Sequence, residues 1–354
     1  MKKVDYLLVI SVILLTVFGL IMITSSSYIW AEYKFNNPYK YLINQGIFFL
    51  LSIITMYIVS RINYSFLYKY SKLLLFIVLI LLILVIIPGI GSVRNGSRSW
   101  FSIGGFGIQP SEFAKLAIII FASRYLSDNK NKRLLVLFLG LLLFGLIMLQ
   151  PDFGTGMVLL MIVVSMLFIS GMKMSFFIKI GFIGIIGLSV LIIIAPYRLK
   201  RILSFLDPWS DPLGSGFQII QSLYAIGPGG LFGLGLGNSI QKHFYLPEPQ
   251  TDFIFAIISE EFGFMGIIIV TTLFLTIIIS SINIALKTKD LFSKYLVFGI
   301  TFWIAFQTIL NLMVVVGLIP VTGVTLPYLS YGGSSLLILY IGIGIILNVS
   351  RYQR

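Results

Sequence analysis

Four of the 12 acidic residues in this 354-residue chain lie in one short segment, LPEPQTDFIFAIISEEFG (246–263). Glu248 and Asp252 precede an apolar run, whereas Glu260 and Glu261 lie within it. At about 100° per residue, Glu260 lies roughly 80° and Glu261 roughly 180° around a helix from Asp252. These three carboxylates therefore cannot all share one helix face, and we expect them to differ in role.

Asp252 stands at the start of the apolar run, after Pro247 and Pro249, which fix the backbone of the approach. A carboxylate here could act as a general base, or it could only cap a helix and interact with its dipole. A charge near the centre of a bilayer costs roughly 2.5–3.5 kcal/mol. Glu260 and Glu261 must therefore be protonated, paired as tethers to a neighbouring helix, or next to a wet cavity.

A second polar cluster occupies SVRNGSRSWFSIGGFGIQPSEFAKLAIII (92–120). It contains Arg98 and Gln109, and its apolar run opens with Glu112 and Lys115. Because Glu112 and Lys115 are three residues apart, their side chains meet on one face of a helix. They could form an ion pair that satisfies itself, or they could line the same cavity as the carboxylates of the first segment.

Three further segments carry polar residues or glycines between apolar runs. Asp152 follows a proline in QPDFGTG (150–156), where it could cap a helix or contact a substrate. The segment IPVTGVTLPYLSYGGSS (319–335) contains Ser330, a candidate substrate contact. The segment GPGGLFGLGLGN (227–238) has no G-K-[ST] of a phosphate-binding loop, so we expect its glycines to permit close backbone packing.

The chain has no cysteine and one histidine, His243. This composition argues against a zinc site, since zinc in proteins is bound mainly by those two residue types. Mg²⁺ or Mn²⁺ bound by carboxylates remains open, with Asp252 and Glu248 as the candidate ligands. We therefore expect a divalent cation as cofactor and leave the choice of metal undecided.

The composition identifies the elements that must position these residues. The chain is 58% hydrophobic and 10% charged, against about 45–50% and about 25% in soluble domains. Many apolar runs are long enough to cross roughly 30 Å of hydrocarbon. The first run is too long for the apolar core of a signal peptide. The sequence therefore predicts an all-α, polytopic integral membrane protein with one transmembrane domain, 1–354.

Ten membrane spans are predicted, with the two termini on one side. The spans lie at 6–24, 42–60, 71–88, 111–127, 134–149, 156–171, 176–195, 253–282, 295–318 and 333–349. If the termini are cytoplasmic, 16 of the 25 Lys and Arg residues lie inside and nine of the 12 acids face outward, as the positive-inside rule requires. The net charge of +13 is then a topology signal and not a sign of nucleic-acid binding.

The long segment 196–252, between spans seven and eight, is predicted to be an extracellular loop. It carries apolar stretches such as FQIIQSLYAIG, so we expect short amphipathic or re-entrant helices in it. At least four outward motifs could then converge on one cavity with acids for proton or metal chemistry and with Arg and Lys for an anion. Such a cavity suits a lipid-linked anionic substrate that is processed outside the cell.

Several of these segments resemble, in the same order, the signature blocks of the SEDS family (shape, elongation, division and sporulation). The resemblance is carried above all by QPDFGTGMVLL, QSLYAIGPGGLFG and GNSIQKHFYLPEPQTDFIFA. The resemblance covers nearly the whole chain and is closer to the FtsW/SpoVE branch than to RodA. It implies ten transmembrane helices, polymerisation of lipid II as a peptidoglycan glycosyltransferase, and a class B penicillin-binding protein as partner. The family's essential aspartate falls on Asp252. Its polar cavity residues fall on Arg98, Gln109, Glu112 and Lys115.

The implied reaction is one inverting displacement, from an α-linked pyrophosphate to a β-1,4 linkage. Asp252 would be the base for the acceptor hydroxyl, and Glu248 would hold a metal or orient Asp252. Arg98, Lys115 or a divalent cation would stabilise the leaving pyrophosphate. The resemblance places the enzyme in the bacterial cytoplasmic membrane with its active site outward, among divisome or sporulation membrane proteins.

Two other function classes remain possible from the sequence. A polytopic protein with buried charges could transport lipid II across the membrane, although transport requires charged groups near the midplane and these motifs cluster at one side. A noncatalytic scaffold for the partner protein would tolerate a change of Asp252. The sequence leaves open whether the activity serves the division septum or the spore cortex.

Overall fold

The structure is a computed structural model that describes residues 5–94, 96–103, 106–194 and 196–352. The fold is mostly helical, with twelve α-helices in the described residues. They are α1 (Tyr6–Phe35), α2 (Lys40–Val59), α3 (Ser65–Ile86), α4 (Pro110–Asp128), α5 (Arg133–Met148), α6 (Phe153–Ile169), α7 (Met174–Ile194), α8 (Pro196–Leu206), α9 (Phe217–Ile226), α10 (Ile254–Lys287), α11 (Leu291–Val315) and α12 (Gly333–Tyr352).

Six of these helices, α1, α2, α3, α10, α11 and α12, are long and apolar enough to cross a membrane. Two more helices, α5 and α6, and the part of α7 at Met174–Gly187 are apolar but shorter. Helix α4 has 19 residues, but charged side chains at both ends reduce its hydropathy. The prediction of a helical membrane protein is confirmed at this level.

Helix α4 lies in the interior of the bundle and packs against α3, α6 and α11. Close approach is possible because Gly299 of α11 has no side chain: a Cβ there would lie 2.8 Å from Ile119 and 2.7 Å from Met166. Fifteen residues of α4 are buried, including Glu112 and Lys115. The polar residues of α4 therefore project into protein and not into lipid.

A small antiparallel sheet, which the sequence analysis did not predict, precedes α4. Its strands are β1 (Ser92–Arg94), β2 (Ser97–Ile103) and β3 (Phe106–Ile108), in that order. Gly96, with φ of 80°, lies between β1 and β2, where the chain reverses. Ser97 donates a hydrogen bond to the carbonyl of Gln150, so the sheet is fixed to the connection between α5 and α6.

The glycine-rich segment 227–238 packs against a break in α10. At Gly263 (φ 61°, ψ −152°) the helix is interrupted. The amide of Phe264 donates to the carbonyl of Gly230 (2.9 Å), and the amide of Leu234 donates to the carbonyl of Glu260 (2.9 Å). A Cβ on Gly233 would lie 2.2 Å from the Glu261 carbonyl oxygen. The prediction that these glycines permit close backbone packing is confirmed.

The segment 196–252 also contains the helical pieces expected of it, α8 and α9. The apolar stretch FQIIQSLYAIG forms α9, which buries Ile219 and Ile220. Ser222 of α9 donates a hydrogen bond of 2.7 Å to the carbonyl of Val315 at the end of α11. The segment is therefore part of the folded body and not a solvated linker.

Candidate functional site

Asp252 lies just before α10 and does not cap it. The helix begins at Ile254, its N-cap is Phe253, and that cap makes no side-chain hydrogen bond. The Asp252 carboxylate instead accepts a hydrogen bond from the hydroxyl of Thr251 (2.7 Å). It remains half-buried and partly open to solvent. The Asp252 side chain therefore makes no capping hydrogen bond to α10, and its role as a catalytic residue stays a prediction.

The backbone around Asp252 is held by side chains from two other segments. Asn311 of α11 donates from Nδ2 to the Asp252 carbonyl (2.7 Å) and to the Val324 carbonyl (2.8 Å). Ser330 donates from its hydroxyl to the Thr251 carbonyl (2.5 Å). Ser330 was predicted to contact substrate, but in the structure its hydroxyl positions the residue next to Asp252.

Glu248 lies four residues before Asp252, between two prolines. Its φ is 44°, a left-handed conformation that costs a non-glycine residue on the order of 1–3 kcal/mol. Its carbonyl accepts hydrogen bonds from the amide (3.1 Å) and the hydroxyl (2.8 Å) of Thr251. The strained turn therefore fixes Thr251, and Thr251 in turn contacts the Asp252 carboxylate.

The surroundings of Asp252 make its carboxylate a stronger base than an exposed aspartate. Burial raises the pKa of Asp252 above its usual 3.8, and the negative charge of Glu248 raises it further. The Thr251 hydroxyl and the positive charge of Arg201 oppose this rise without cancelling it. Desolvation disfavours the charged form of a carboxyl group, which is the physical cause of the shift.

Glu112 and Lys115 form the predicted ion pair inside the bundle. Lys115 Nζ lies 2.6 Å from Glu112 Oε1 and 2.9 Å from Gln307 Oε1, and it sits 4.9 Å from the centre of the Trp303 ring. Lys115 is 1% and Glu112 4% exposed. The ammonium group is thus enclosed by protein, which argues against the predicted direct contact between Lys115 and a leaving pyrophosphate.

Gln109 and Asp152 are joined by a hydrogen bond of 2.9 Å from Gln109 Nε2 to Asp152 Oδ2. Asp152 also accepts from the amide of Thr155 (3.1 Å) as the N-cap of α6. The interpretation of Asp152 as a cap is confirmed. Since Gln109 directly precedes α4, this bond aligns the starts of α4 and α6.

Arg98 lies on β2, where its Cα pairs with that of Val93. Its side chain is half-buried, and its stem packs over Gly91, where a Cβ would lie 3.2 Å from Arg98 Cγ. The structure thus places Arg98 on the sheet, next to Ser97, which fixes β2 to the connection between α5 and α6.

Helix α11 links the two groups of predicted residues through side chains that the sequence analysis missed. Gln307 and Asn311 are four residues apart and so lie on one helix face. Gln307 accepts from Lys115 and donates to the Thr325 carbonyl (3.0 Å), whereas Asn311 donates to Asp252. Two amide residues in an apolar span were the available signal, because buried polar groups in a membrane are costly and usually functional.

Glu260 and Glu261 serve as structural tethers. Glu260 accepts hydrogen bonds from the Ser239 hydroxyl (2.5 Å) and from the Ile240 amide (2.9 Å). Glu261 accepts from Lys242 Nζ (3.2 Å) and from the hydroxyl of Ser25 in α1 (2.6 Å). Both carboxylates therefore hold the loop 238–242 against α10 and α1.

The expected divalent cation would have two protein carboxylates available. The described residues contain no group of three His, Cys, Asp or Glu side chains that could hold a metal ion. Mg²⁺ is commonly bound by one or two carboxylates together with substrate phosphates. Asp252 and Glu248 fit that shared type of site, and they do not fit a site built from protein ligands alone.

Comparison with known proteins extends over the whole chain. The family model for FtsW, RodA and SpoVE, described as cell cycle protein, matches residues 5–354. Stage V sporulation protein E of Bacillus subtilis (strain 168) is 51% identical over 99% of this chain and 98% of its own length. The "Probable peptidoglycan glycosyltransferase FtsW" of Trichlorobacter lovleyi is 41% identical over 99% of this chain and 94% of its own.

Solved structures show the same fold. One chain, from a structure described as "Structural coordination of polymerization and crosslinking by a peptidoglycan synthase complex", matches with a TM-score of 0.81 and 31% identity, over 100% of this chain and 99% of that one. The rod shape determining protein RodA of Thermus thermophilus matches with a TM-score of 0.74 and 26% identity, over 99% of this chain and 98% of that one. Because the family model and the relatives cover nearly every residue, the chain belongs to the FtsW/RodA/SpoVE family of cell cycle proteins, the SEDS family that its motifs resemble.

Proposed function

We propose that the protein is a peptidoglycan glycosyltransferase that polymerises lipid II into glycan strands, for the division septum or the spore cortex. The observation that carries this proposal is the placement of Asp252. Its main chain is held by Asn311, while its carboxylate is half-buried and does not cap α10. The relatives named peptidoglycan glycosyltransferase support the same activity.

In the proposed reaction, the donor is a glycan chain or sugar linked to a polyprenyl carrier through a pyrophosphate. The Asp252 carboxylate accepts the proton of the acceptor 4-hydroxyl as that oxygen forms a bond to the anomeric carbon of the donor. The bond from the anomeric carbon to the pyrophosphate oxygen breaks, and its electron pair leaves with the pyrophosphate. The raised pKa of Asp252 favours this proton transfer, because a base becomes more effective as its pKa approaches the working pH.

A divalent cation, Mg²⁺ or Mn²⁺, is part of the proposal. Asp252 and Glu248 would hold it together with substrate phosphates, and when bound it would supply positive charge for the leaving pyrophosphate. Glu248 has a second part in this scheme, since its turn fixes Thr251 beside Asp252. Chelation followed by return of single metals would identify the ion.

The proposed topology has ten transmembrane helices. They are the six long apolar helices, the three shorter ones and α4, whose polar residues are covered by its neighbours. The distribution of Lys and Arg favours cytoplasmic termini, with 196–252 and the active site outward in the bacterial cytoplasmic membrane. Lys2, Lys3 and Arg354, which enter that count, lie outside the described residues.

We propose a class B penicillin-binding protein as the partner, with other divisome or sporulation membrane proteins beyond it. The match to a chain of a complex described as coordinating polymerisation and crosslinking supports such a transpeptidase partner. The identity to a stage V sporulation protein supports a place in sporulation. Neither comparison decides between septum and cortex, so the partner found by co-purification is the appropriate test.

The activity is tested by a lipid II polymerisation assay with the purified protein, its partner and Mg²⁺ or Mn²⁺. A positioned base typically contributes about 10²–10⁴-fold, so Asp252→Asn should lower the rate by at least about 100-fold at equal expression and partner binding. Activity of Asp252→Asn within about threefold of the unmodified protein would contradict the base assignment. Movement of labelled lipid II across vesicles without any glycan product would instead support the transporter alternative.

A further inference from the structure

Helix α8 has one apolar and one polar face. At about 100° per residue, three leucines of α8 fall within about 60° of one another, and three polar residues lie on the opposite side. The apolar face is formed by Leu199, Leu203 and Leu206, which are 46%, 55% and 71% exposed. The polar face is formed by Lys200, Arg201 and Ser204. A short helix with two such faces is of the type that lies in a membrane interface with its apolar face in lipid.

A pocket of about 300 Å³ lies beneath the polar face of α8. It is lined by Lys200, Arg201, Ser204, Gly214, Ser215, Gln218, Ile219 and Val321. Two basic residues and the amide residue Gln218 line this space, and no carboxylate of the described residues lines it. The hydroxyls of Ser204 and Ser215 donate to the Lys200 carbonyl and to Asp211. Asp211 lies nearby but is occupied with Ser215, from whose amide (2.9 Å) and hydroxyl (3.0 Å) it accepts hydrogen bonds. The lining has the chemistry of an anion site.

This pocket adjoins the surroundings of Asp252. Arg201 Nη1 donates to the Val321 carbonyl (3.1 Å), and three residues further along the same segment the Val324 carbonyl accepts from Asn311. Asn311 also holds the main chain of Asp252 (2.7 Å). The segment 321–324 thus connects Arg201 at the pocket with Asn311, the residue that holds Asp252.

The other basic candidates are less well placed for an anion beside Asp252. Lys115 is 1% exposed and is enclosed by Glu112, Gln307 and Trp303. Lys242 is buried and donates to Glu261 (3.2 Å). Lys200 and Arg201, by contrast, are exposed and line the pocket under α8.

We propose that the pocket under α8 binds the diphosphate of the polyprenyl-linked sugar donor, with Lys200 and Arg201 as its cationic ligands. The proposal rests on the glycosyltransferase function. Its chemical reason is that the diphosphate gains negative charge as the bond to the anomeric carbon breaks, and fixed positive groups aimed at that charge stabilise the transition state. The interfacial position of α8 suits a donor whose polyprenyl chain stays in the membrane.

The test is binding of fluorescent lipid II to the full-length protein in nanodiscs, with divalent cation withheld so that turnover is minimised. Charge reversal in Arg201→Glu or Lys200→Glu should weaken lipid II binding by about tenfold or more. Lys200 is exposed, so Lys200→Glu should fold normally. Arg201→Lys, which keeps the charge, should recover most of the affinity. Lys34→Glu makes the same charge change at an exposed residue outside the pocket, and should bind as the parent does.

Competitor lipids identify the group that is recognised. In the parent protein a polyprenyl diphosphate should compete better than the corresponding polyprenyl alcohol, and this preference should be lost in Lys200→Glu and Arg201→Glu. Unchanged affinity and preference in both variants would overturn the diphosphate site. The variants could also lose affinity for lipid II only in nanodiscs that contain phosphatidylglycerol, and not in phosphatidylcholine alone. That result would also overturn the diphosphate site, since the pocket would then hold a phospholipid headgroup. Failure of the parent to bind any lipid II would instead contradict the proposed function itself.

Discussion

Asp252 has its side chain and its main chain held by different groups. The Thr251 hydroxyl donates to the carboxylate, and Asn311 donates to the carbonyl, each at 2.7 Å. Asp152 shows the other arrangement, because its carboxylate accepts a hydrogen bond from the amide of Thr155 and so caps α6. The difference lies in spacing: α6 begins directly after Asp152, whereas one residue, Phe253, separates Asp252 from the first residue of α10.

At the same scale, the pKa of Asp252 predicts the acid side of the pH profile. The base works only when ionised, and burial raises its pKa, so log(kcat/KM) should fall on acidification at a pH above 3.8. The Thr251 hydroxyl lowers this pKa, so Thr251→Val should move the acid limb to still higher pH. The measurement is the rate of polymerisation against pH. An acid limb at or below 3.8, or one that Thr251→Val shifts downward, would contradict the assignment.

The ion pair of Glu112 and Lys115 predicts a stability effect. Removal of one partner from a buried pair leaves the other charge uncompensated and costs about 3–5 kcal/mol. Lys115→Ala should therefore lose both activity and thermal stability. The double variant Glu112→Gln with Lys115→Met removes both charges and should unfold at a higher temperature than Lys115→Ala. Thermal unfolding in detergent provides the comparison, and equal stability of Lys115→Ala and the parent would refute it.

At the scale of elements, α11 and the interrupted α10 organise the site. Helix α11 presents Gln307 to Lys115 and Asn311 to Asp252, four residues apart on one face. The break at Gly263 lets the glycine-rich segment 227–238 form hydrogen bonds with the backbone of α10. Glu260 and Glu261 then fix the next loop. The first part of α10, before Gly263, is thus held from both sides, which keeps the preceding residues in place.

Asn311 is the residue of α11 whose change tests this arrangement. Asn311→Leu removes the donor to the Asp252 carbonyl, and small misplacement of a catalytic group can cost about 100-fold. As a positioning residue, Asn311 should affect kcat more than KM, and Asn311→Gln should restore part of the rate. Thr276→Ala is the control, since the Thr276 hydroxyl donates within its own helix, to the Thr272 carbonyl. An Asn311→Leu enzyme with normal kcat would show that the hydrogen bond from Asn311 does not position the base.

At the scale of the whole molecule, the bundle encloses a polar interior and leaves apolar side chains at its surface. Lys115 is 1% exposed, whereas leucines such as Leu50 and Leu286 are 63% and 68% exposed. A soluble protein rarely exposes so extensive an apolar surface. The arrangement fits a lipid environment, in which the outside of the bundle faces acyl chains and the charged groups are paired inside.

The orientation can be tested directly because the chain contains no cysteine. Single-cysteine variants at Leu213 and at Lys289 place a thiol in the loop before α9 and in the turn before α11. In intact cells, a membrane-impermeant maleimide should label Leu213→Cys and leave Lys289→Cys unlabelled until the membrane is opened. The reverse pattern would mean that the long loop is cytoplasmic, and an outward active site would then be excluded.

The sequence by itself determined the features that depend on neighbouring residues. Composition and run length established a helical membrane protein, since each span is a local property of about 20 residues. Spacing of three residues placed Glu112 and Lys115 on one helix face. Apolar stretches such as FQIIQSLYAIG predicted the helical pieces of 196–252, and a glycine-rich segment without a phosphate-loop signature predicted close backbone packing. Family motifs singled out Asp252.

Only the tertiary structure decided which distant residues meet. Lys115 and Gln307 are 192 residues apart in sequence, and Asn311 lies 59 residues from Asp252. Periodicity within one helix gives its faces but not its neighbours, so it could not reveal that α11 joins the two polar groups. For the same reason Lys115 was expected beside substrate, although its neighbours enclose it, and Arg201 was not singled out. Burial and long-range pairing decide the chemistry of these charges, and both arise only when the helices pack.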